Sequence, residues 1–214
     1  MPDHPALAGY LNEFVAVLTY MAVVTCAVSG ALEARRRDMD VVGAISVAFV
    51  TAFGGGTVRD LLLGRTPIFW VRDPWLTAAA FVPAVVSYYI LKRASDRVLL
   101  VPDALGLGLF SILGATSALA MHLSMIVAVL MGVVTGVFGG VMRDTLCGRI
   151  PVVFRRNSEL YATCSFLGVW VFVLLDRFTP YATVASWVGT GAVVALRLAS
   201  VRFQLKLPEP GTEA

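Results

Sequence analysis

Two arginine–aspartate pairs lie inside apolar stretches of the sequence, where charged residues are otherwise rare. The first pair is Arg59-Asp60 and the second is Arg143-Asp144. An ionisable residue within a membrane helix is costly, and it usually faces a charged partner or a water-filled cavity. Successive helical residues point about 100° apart, so we do not expect either pair to form one internal ion pair. Two interpretations remain: the charges line or gate a solute path, or they form salt bridges between the two segments that stabilise the fold.

A run of glycines precedes each pair. Gly54, Gly55 and Gly56 come before the first pair, and Gly139 and Gly140 come before the second. Each glycine costs a helix up to about 1 kcal/mol relative to alanine, so we predict a kink or an unwound turn at both runs. Such a break frees backbone carbonyls, which could coordinate a cation. The alternative is that these small residues allow two helices to cross closely.

Further polar residues could contribute to the same path. Asp103 follows Pro102 near the beginning of an apolar stretch, and we expect its carboxylate to approach Arg143 or one mouth of the path. The alternative for Asp103 is a simple helix N-cap. The hydroxyl-bearing candidates for lining a pore are Ser46, Thr51, Ser111 and Thr135. The cysteines and histidines lack ligand spacing and no nucleophile–base pair occurs, so we expect no cofactor, no metal beyond transient monovalent cations, and no enzyme activity.

The composition excludes most classes of soluble protein. The chain has 214 residues, of which 58% are hydrophobic and 14% are charged, whereas an ordinary soluble domain has about 25% charged residues. So few charges cannot cover the surface of a water-soluble protein of this size. We therefore exclude a soluble enzyme, a disordered chain and a nucleic-acid-binding domain. We predict an all-α polytopic membrane protein surrounded by membrane lipid.

Apolar stretches long enough for a membrane helix, about 20 residues, occur seven times. They lie at about 10–33, 41–64, 74–92, 98–121, 123–147, 158–176 and 181–199, so that residues 1–214 form a single transmembrane domain. Seven spans divide the basic residues unequally between the two sides. Twelve lie on one side, namely Arg35, Arg36, Arg37, Lys92, Arg93, Arg97, Arg149, Arg155, Arg156, Arg197, Arg202 and Lys206, and three lie on the other, namely Arg65, Arg72 and Arg177. Because basic residues favour the cytoplasmic side, we expect a multi-pass inner-membrane protein with its N-terminus outside and its C-terminus in the cytoplasm.

The two glycine-rich segments are copies of one another. TAFGGGTVRDLLLGRTP (51–67) aligns without gaps on TGVFGGVMRDTLCGRIP (135–151), an offset of 84, and nine of the seventeen positions are identical. A repeat unit of three helices must enter the membrane in opposite directions in its two copies. We therefore predict an inverted 3+3 repeat, with repeat A at about 10–93, repeat B at about 98–177 and a seventh helix at about 181–199. Such repeats commonly enclose a solute path at mid-membrane; the alternative is a duplicated scaffold that transports nothing.

The two motifs also indicate a family. GGGTVRDLLLGRTPIFWVRDP (54–74) and GVFGGVMRDTLCGRIPVVF (136–154) resemble the paired glycine-rich Arg-Asp motifs of prokaryotic trimeric intracellular cation (TRIC) channels. The resemblance implies a homotrimer with a pore within each subunit between the inverted repeats, permeable to K⁺ and Na⁺, and with spans 2 and 5 kinked at the glycines. By motif position, the two kinks comprise Gly54, Gly55, Gly56, Arg59 and Asp60, and Gly139, Gly140, Arg143 and Asp144. Phe138 stands where the first copy has Gly54.

Two functions are compatible with these features. The first is a passive channel for monovalent cations, as the resemblance implies. The second is a secondary transporter for a small solute such as an amino acid, because inverted repeats with broken helices also serve alternating access.

Overall fold

Helices account for most of the chain that the structure describes. The computed structural model describes residues 5–90, 96–155 and 159–206. Its helices are α1 (Pro5–Arg35), α2 (Val41–Leu62), α3 (Phe69–Arg72), α4 (Pro74–Ile90), α5 (Asp96–Leu119), α6 (Met125–Leu146), α7 (Ala162–Phe178) and α8 (Ala182–Arg202), with a 3₁₀ turn at Val152–Phe154 between α6 and α7. The predicted all-α architecture is confirmed. Lys92, Arg93 and Arg156, which contribute to the charge bias, lie outside the described residues.

The long helices fall on the predicted apolar stretches. Leaving the four-residue α3 aside, the seven other helices within the described ranges match the seven predicted spans in order. Helices α1, α2, α5, α6 and α8 are long and apolar enough to cross a membrane. Helices α4 and α7 have 17 residues each, at the short end of the range of about 17–25 residues for a transmembrane helix. The number of crossings stays a prediction.

The distribution of side chains suits a lipid environment. Large apolar residues such as Ile126 and Leu130 on α6 and Val184 on α8 are exposed, whereas both Arg-Asp pairs are buried. A soluble protein of this size would place charged residues over such a surface. The apolar exterior and the charged interior therefore fit a helix bundle whose outside faces lipid tails.

Helices α2 and α6 cross in close contact at their glycines. A Cβ atom on Gly139 would lie 2.5 Å from the carbonyl oxygen of Thr51, and one on Gly55 would overlap the carbonyl oxygen of Thr135. Thr51 precedes Gly55 in α2, whereas its partner Gly139 follows Thr135 in α6. The two helices therefore run in opposite directions. Such close backbone contact requires residues without side chains.

The glycine runs do not interrupt the helices. Both α2 and α6 continue through their glycines to Leu62 and Leu146, so the predicted unwound turns are wrong. Inside a bilayer a freed carbonyl has no water to bind, and unbroken helical hydrogen bonding avoids that cost. The alternative interpretation, close helix crossing, accounts for Gly55 and Gly139. A bend of either helix axis stays a prediction.

Matched caps end α2 and α6. Gly64 and Gly148 have φ angles of 63° and 67°, the left-handed conformation that glycine adopts without strain. The N–H of Arg65 donates to the carbonyl of Asp60, and that of Arg149 donates to the carbonyl of Asp144, both at 2.8 Å. These are Schellman caps. They explain why the repeat preserves a glycine four residues after each aspartate.

Candidate functional site

The first Arg-Asp pair is an internal ion pair that also holds the chain following α2. Nε and Nη2 of Arg59 donate to Oδ1 of Asp60 at 2.9 and 2.8 Å. The other carboxylate oxygen, Oδ2, accepts the backbone N–H of Phe69 at 2.8 Å. The Phe69 ring in turn lies under the Arg59 guanidinium, 5.2 Å from ring centroid to Cζ. Asp60 thus connects α2 to the beginning of α3.

The second pair repeats this geometry and adds partners. Nε of Arg143 donates to Oδ1 of Asp144 at 3.0 Å, and Oδ2 of Asp144 accepts the N–H of Val152 at 3.1 Å. Nη1 of Arg143 reaches Oδ1 of Asp103 at 2.6 Å and Oγ of Ser29 at 2.7 Å. Asp103 therefore approaches Arg143 as expected. Because Ser29 lies in α1, this arginine joins the two repeats.

The expectation that adjacent residues would not pair is wrong for both motifs. Arg59 and Arg143 are only 5% and 4% exposed, and an unpaired buried guanidinium costs far more than bending a long side chain toward its neighbour. The predicted salt bridge between repeats is present at another position. Nη1 of Arg149 lies 2.7 Å from Oε1 of Glu33, which belongs to α1.

Each arginine lines its own cavity. The Arg59 cavity has a volume of about 210 Å³, and its polar lining is Thr19, Tyr20, Arg59, Arg65, Asp73 and Ser117. The Arg143 cavity has a volume of about 400 Å³, and its polar lining is Glu33, Arg36, Asp103, Arg143, Asp144, Arg149, Arg155, Glu159 and Arg197. Arg59 and Arg143 lie about one helical turn past the glycine contacts of their antiparallel helices. The two cavities therefore lie on opposite sides of the α2–α6 crossing.

The hydroxyl candidates lie elsewhere. Thr51 and Thr135 are buried at the crossing, and each donates to the carbonyl four residues earlier, at 2.6 Å. Ser111 is hydrogen-bonded to Ser165 at 2.7 Å. Ser46 is exposed and donates to the carbonyl of Val42. None of these four hydroxyl side chains lines either described cavity, whereas the fifth pore-lining candidate, Asp103, does.

The remaining glycines of the motifs give room to side chains. A Cβ on Gly54 would meet Sδ of Met142 at 2.5 Å, and one on Gly56 would overlap the ring of Phe69. A Cβ on Gly140 would lie 2.8 Å from the hydroxyl oxygen of Tyr161. These three glycines therefore accommodate packed side chains rather than cation-coordinating carbonyls.

The duplicated architecture matches a known family twice along the chain. A protein-family model described as "Glycine transporter" matches residues 16–92 and residues 100–177. The chain belongs to this family. Its relatives include the UPF0126 inner membrane protein YadS of Escherichia coli, which is 36% identical over 195 residues covering 89% of this chain and 93% of the relative. A UPF0126 membrane protein of Deinococcus radiodurans is 35% identical over 92% of this chain and 93% of its own length.

Solved structures resemble this member of the Glycine transporter family over about nine tenths of its length. The TRIC trimeric intracellular cation channel orthologue from Rhodobacter sphaeroides is 39% identical, with a TM-score of 0.83 over 89% of this chain and 98% of its own. A second structure, described as a basis for conductance through TRIC cation channels, is 32% identical with a TM-score of 0.81. It covers 93% of this chain and 98% of its own. The resemblance seen in the motifs thus extends to the fold.

Sequence reasoning missed Glu33 in this family member. Glu33 is 1% exposed, and besides Arg149 its carboxylate contacts Arg37 Nε at 3.4 Å and Arg36 Nη1 at 3.7 Å. The available signal was an acidic residue at the end of an apolar span, two residues before a run of three arginines. Its distant partner Arg149 could be found only from the packing of α1 near the end of α6.

The last helix also reaches the Arg143 cavity. Arg197 on α8 donates to the carbonyl of Leu160 at 2.9 Å, and its guanidinium lies 4.8 Å from the ring centroid of Tyr161. The Tyr161 hydroxyl donates to Oδ1 of Asp103 at 3.5 Å. Helix α8 therefore supports the carboxylate that pairs with Arg143, a role that its place outside the repeat did not suggest.

Proposed function

We propose that this chain forms a channel permeable to monovalent cations, K⁺ and Na⁺, with one pore in each subunit of a homotrimer. The observation that carries the proposal is the similarity to structures of TRIC cation channels at 39% and 32% identity over nearly whole chains. Similarity of fold alone would be weak support for a function, but here it is accompanied by the duplicated glycine-rich Arg-Asp motif.

The geometry supports a path through the centre of the subunit. Two polar cavities approach the α2–α6 crossing from opposite sides, and each contains one buried arginine paired with the next aspartate. The crossing separates the cavities in this conformation. In our proposal Gly54–Gly56 and Gly139–Gly140 allow α2 and α6 to bend or slide apart, which joins the cavities into a pore beside Arg59 and Arg143.

Currents across a planar bilayer test the channel directly. Purified protein is reconstituted with different KCl concentrations on the two sides. The proposal predicts unitary currents whose reversal potential lies near the K⁺ equilibrium potential. Absence of currents, together with exchange of a labelled solute in liposomes made from the same preparation, would overturn it.

A second candidate function is transport of a small amino acid. The matching family model is described as "Glycine transporter", and inverted repeats are a common architecture of secondary transporters. The similarity to structures of TRIC cation channels favours the channel over this transporter. The same liposomes test this function when loaded with unlabelled glycine and diluted into labelled glycine. A transporter accumulates the label by counterflow without unitary currents, whereas a cation channel does not.

The assembly and orientation complete the proposal. We propose three subunits in the inner membrane, with the N-terminus outside and the C-terminus in the cytoplasm, because basic residues are concentrated at the α1–α2 turn, after α6 and at the end of α8. Native mass spectrometry in detergent measures the subunit number. A C-terminal reporter that is active only in the cytoplasm tests the orientation.

A further inference from the structure

The repeat allows the two cavities to be compared position by position. Arg143 and Arg149 of the Arg143 cavity correspond, at the offset of 84, to Arg59 and Arg65 of the Arg59 cavity. All four arginines line their respective cavities. The two arginines of the repeated motif are therefore common to both cavities.

The acidic part differs at two matched positions. Asp103, the partner of Arg143, corresponds to Thr19, and Glu33, the partner of Arg149, corresponds to Ser117. Both hydroxyl residues line the Arg59 cavity, as both carboxylates line the Arg143 cavity. Two carboxylates on one side of the crossing thus stand where the other side has two neutral hydroxyls.

These two carboxylates lower the positive charge of the Arg143 cavity. Among the described residues, five arginine and four carboxylate side chains line it, an excess of one positive charge. Loss of the Glu33 and Asp103 charges would raise the excess within this described lining from one to three. A more positive potential in a narrow space repels cations and concentrates anions. The Arg59 cavity has two arginines, and Asp73 is the carboxylate in its described lining.

We infer that Glu33 and Asp103 raise the preference of the proposed channel for cations over anions, by cancelling the charges of Arg149 and Arg143. Glu33 is suited to this role because it is almost completely buried beside the cavity and contacts three arginines. The inference rests on the proposed channel function. It assigns selectivity to one side of the crossing rather than to the crossing itself.

The K⁺ to Cl⁻ permeability ratio tests the inference. It is obtained from reversal potentials in asymmetric KCl for the wild type, Glu33→Gln and Asp103→Asn. Removing one charge about 7 Å from a permeant ion in water changes the local K⁺ and Cl⁻ densities about threefold in opposite directions, so the ratio falls about sevenfold. Glu13→Gln is the matched control, because Glu13 lies on the same helix, is exposed and lines neither cavity.

Two further variants distinguish charge from structure. Glu33→Gln/Arg149→Gln removes both members of the ion pair, so the cavity charge and the permeability ratio return to wild-type values. Ser117→Glu places a carboxylate in the other cavity, which Ser117 and Arg65 both line, and the ratio rises. If Glu33→Gln does not yield assembled protein, these two variants and Asp103→Asn decide the question.

The measurements distinguish failure of the proposed channel function from failure of the inference. Wild-type protein without currents overturns the channel function, and the inference with it. Wild-type currents with unchanged ratios in Glu33→Gln and Asp103→Asn overturn the inference alone. A double variant with a ratio as low as that of Glu33→Gln also overturns it, because the effect would then not follow the charge.

Discussion

Replacing Gly139 by alanine tests whether the glycines at the α2–α6 crossing serve close packing. The new Cβ would lie 2.5 Å from the carbonyl oxygen of Thr51, and ordinary contact begins near 3.4 Å. The backbones must therefore separate by about 0.9 Å, and α2 cannot retreat without disturbing the matched contact at Gly55. Overpacking of this kind costs about 1–3 kcal/mol, while the better helix propensity of alanine returns up to about 1 kcal/mol. We expect a net destabilisation of about 1–2 kcal/mol.

Thermal unfolding in detergent measures this effect. For a chain of this length, each kcal/mol shifts the Tm by about 2–4 °C, so the Tm of Gly139→Ala should fall by about 2–8 °C. Gly191→Ala is the matched control, because Gly191 lies within α8 and a Cβ added there would have no neighbouring atom within 4 Å. Its Tm should stay the same or rise. Equal Tm values for the two variants would refute the packing argument.

Two other predictions concern carboxylates. Asp60→Asn should destabilise the protein by about 3–5 kcal/mol, as expected when one member of a buried ion pair is removed. Asp144→Asn should destabilise it less, because Asp103 remains beside Arg143. Equal Tm losses in the two variants would contradict this prediction. The hydrogen bond from Tyr20, helped by backbone N–H groups, lowers the pKa of the Asp73 carboxyl between α3 and α4. A carboxyl whose pKa is lower in the folded than in the unfolded state stabilises the fold above its unfolded-state pKa, and this contribution disappears as the pH falls through the folded-state value. In Tyr20→Phe the loss should begin at a higher pH, and coincident Tm–pH curves for variant and wild type would contradict it.

The membrane class and the repeat could be predicted from the sequence because they depend on composition and on local identity. The Arg-Asp motif was equally visible, but its geometry was not. Angular spacing along a helix describes where Cβ atoms point, whereas the Arg59 side chain is long enough to bend onto Asp60 when burial makes an unpaired charge costly. The angle between successive Cβ atoms therefore did not decide whether a side chain as long as that of arginine pairs with its neighbour.

The unwound turns predicted at the glycines were wrong for a related reason. Glycine weakens a helix in water, but between two packed helices it permits the contact of Gly139 with Thr51. The Thr51 hydroxyl bonds its own helix rather than facing a cavity, a local option that any threonine in a helix has. The partnership of Glu33 with Arg149 spans 116 residues of sequence. Only the packed structure brings such residues together.

Each cavity is built from both halves of the chain. Glu33 of the first half lines the Arg143 cavity, and Ser117 of the second half lines the Arg59 cavity. A protein of half this length could form such cavities only as two copies inserted in opposite directions, and symmetry would make the two entrances identical. Covalent fusion removes that constraint, so that position 19 can be threonine while its counterpart at 103 is aspartate. In the proposed channel a single chain can thus present a different entrance to each side of the membrane, which a symmetric pair of half-length chains cannot do.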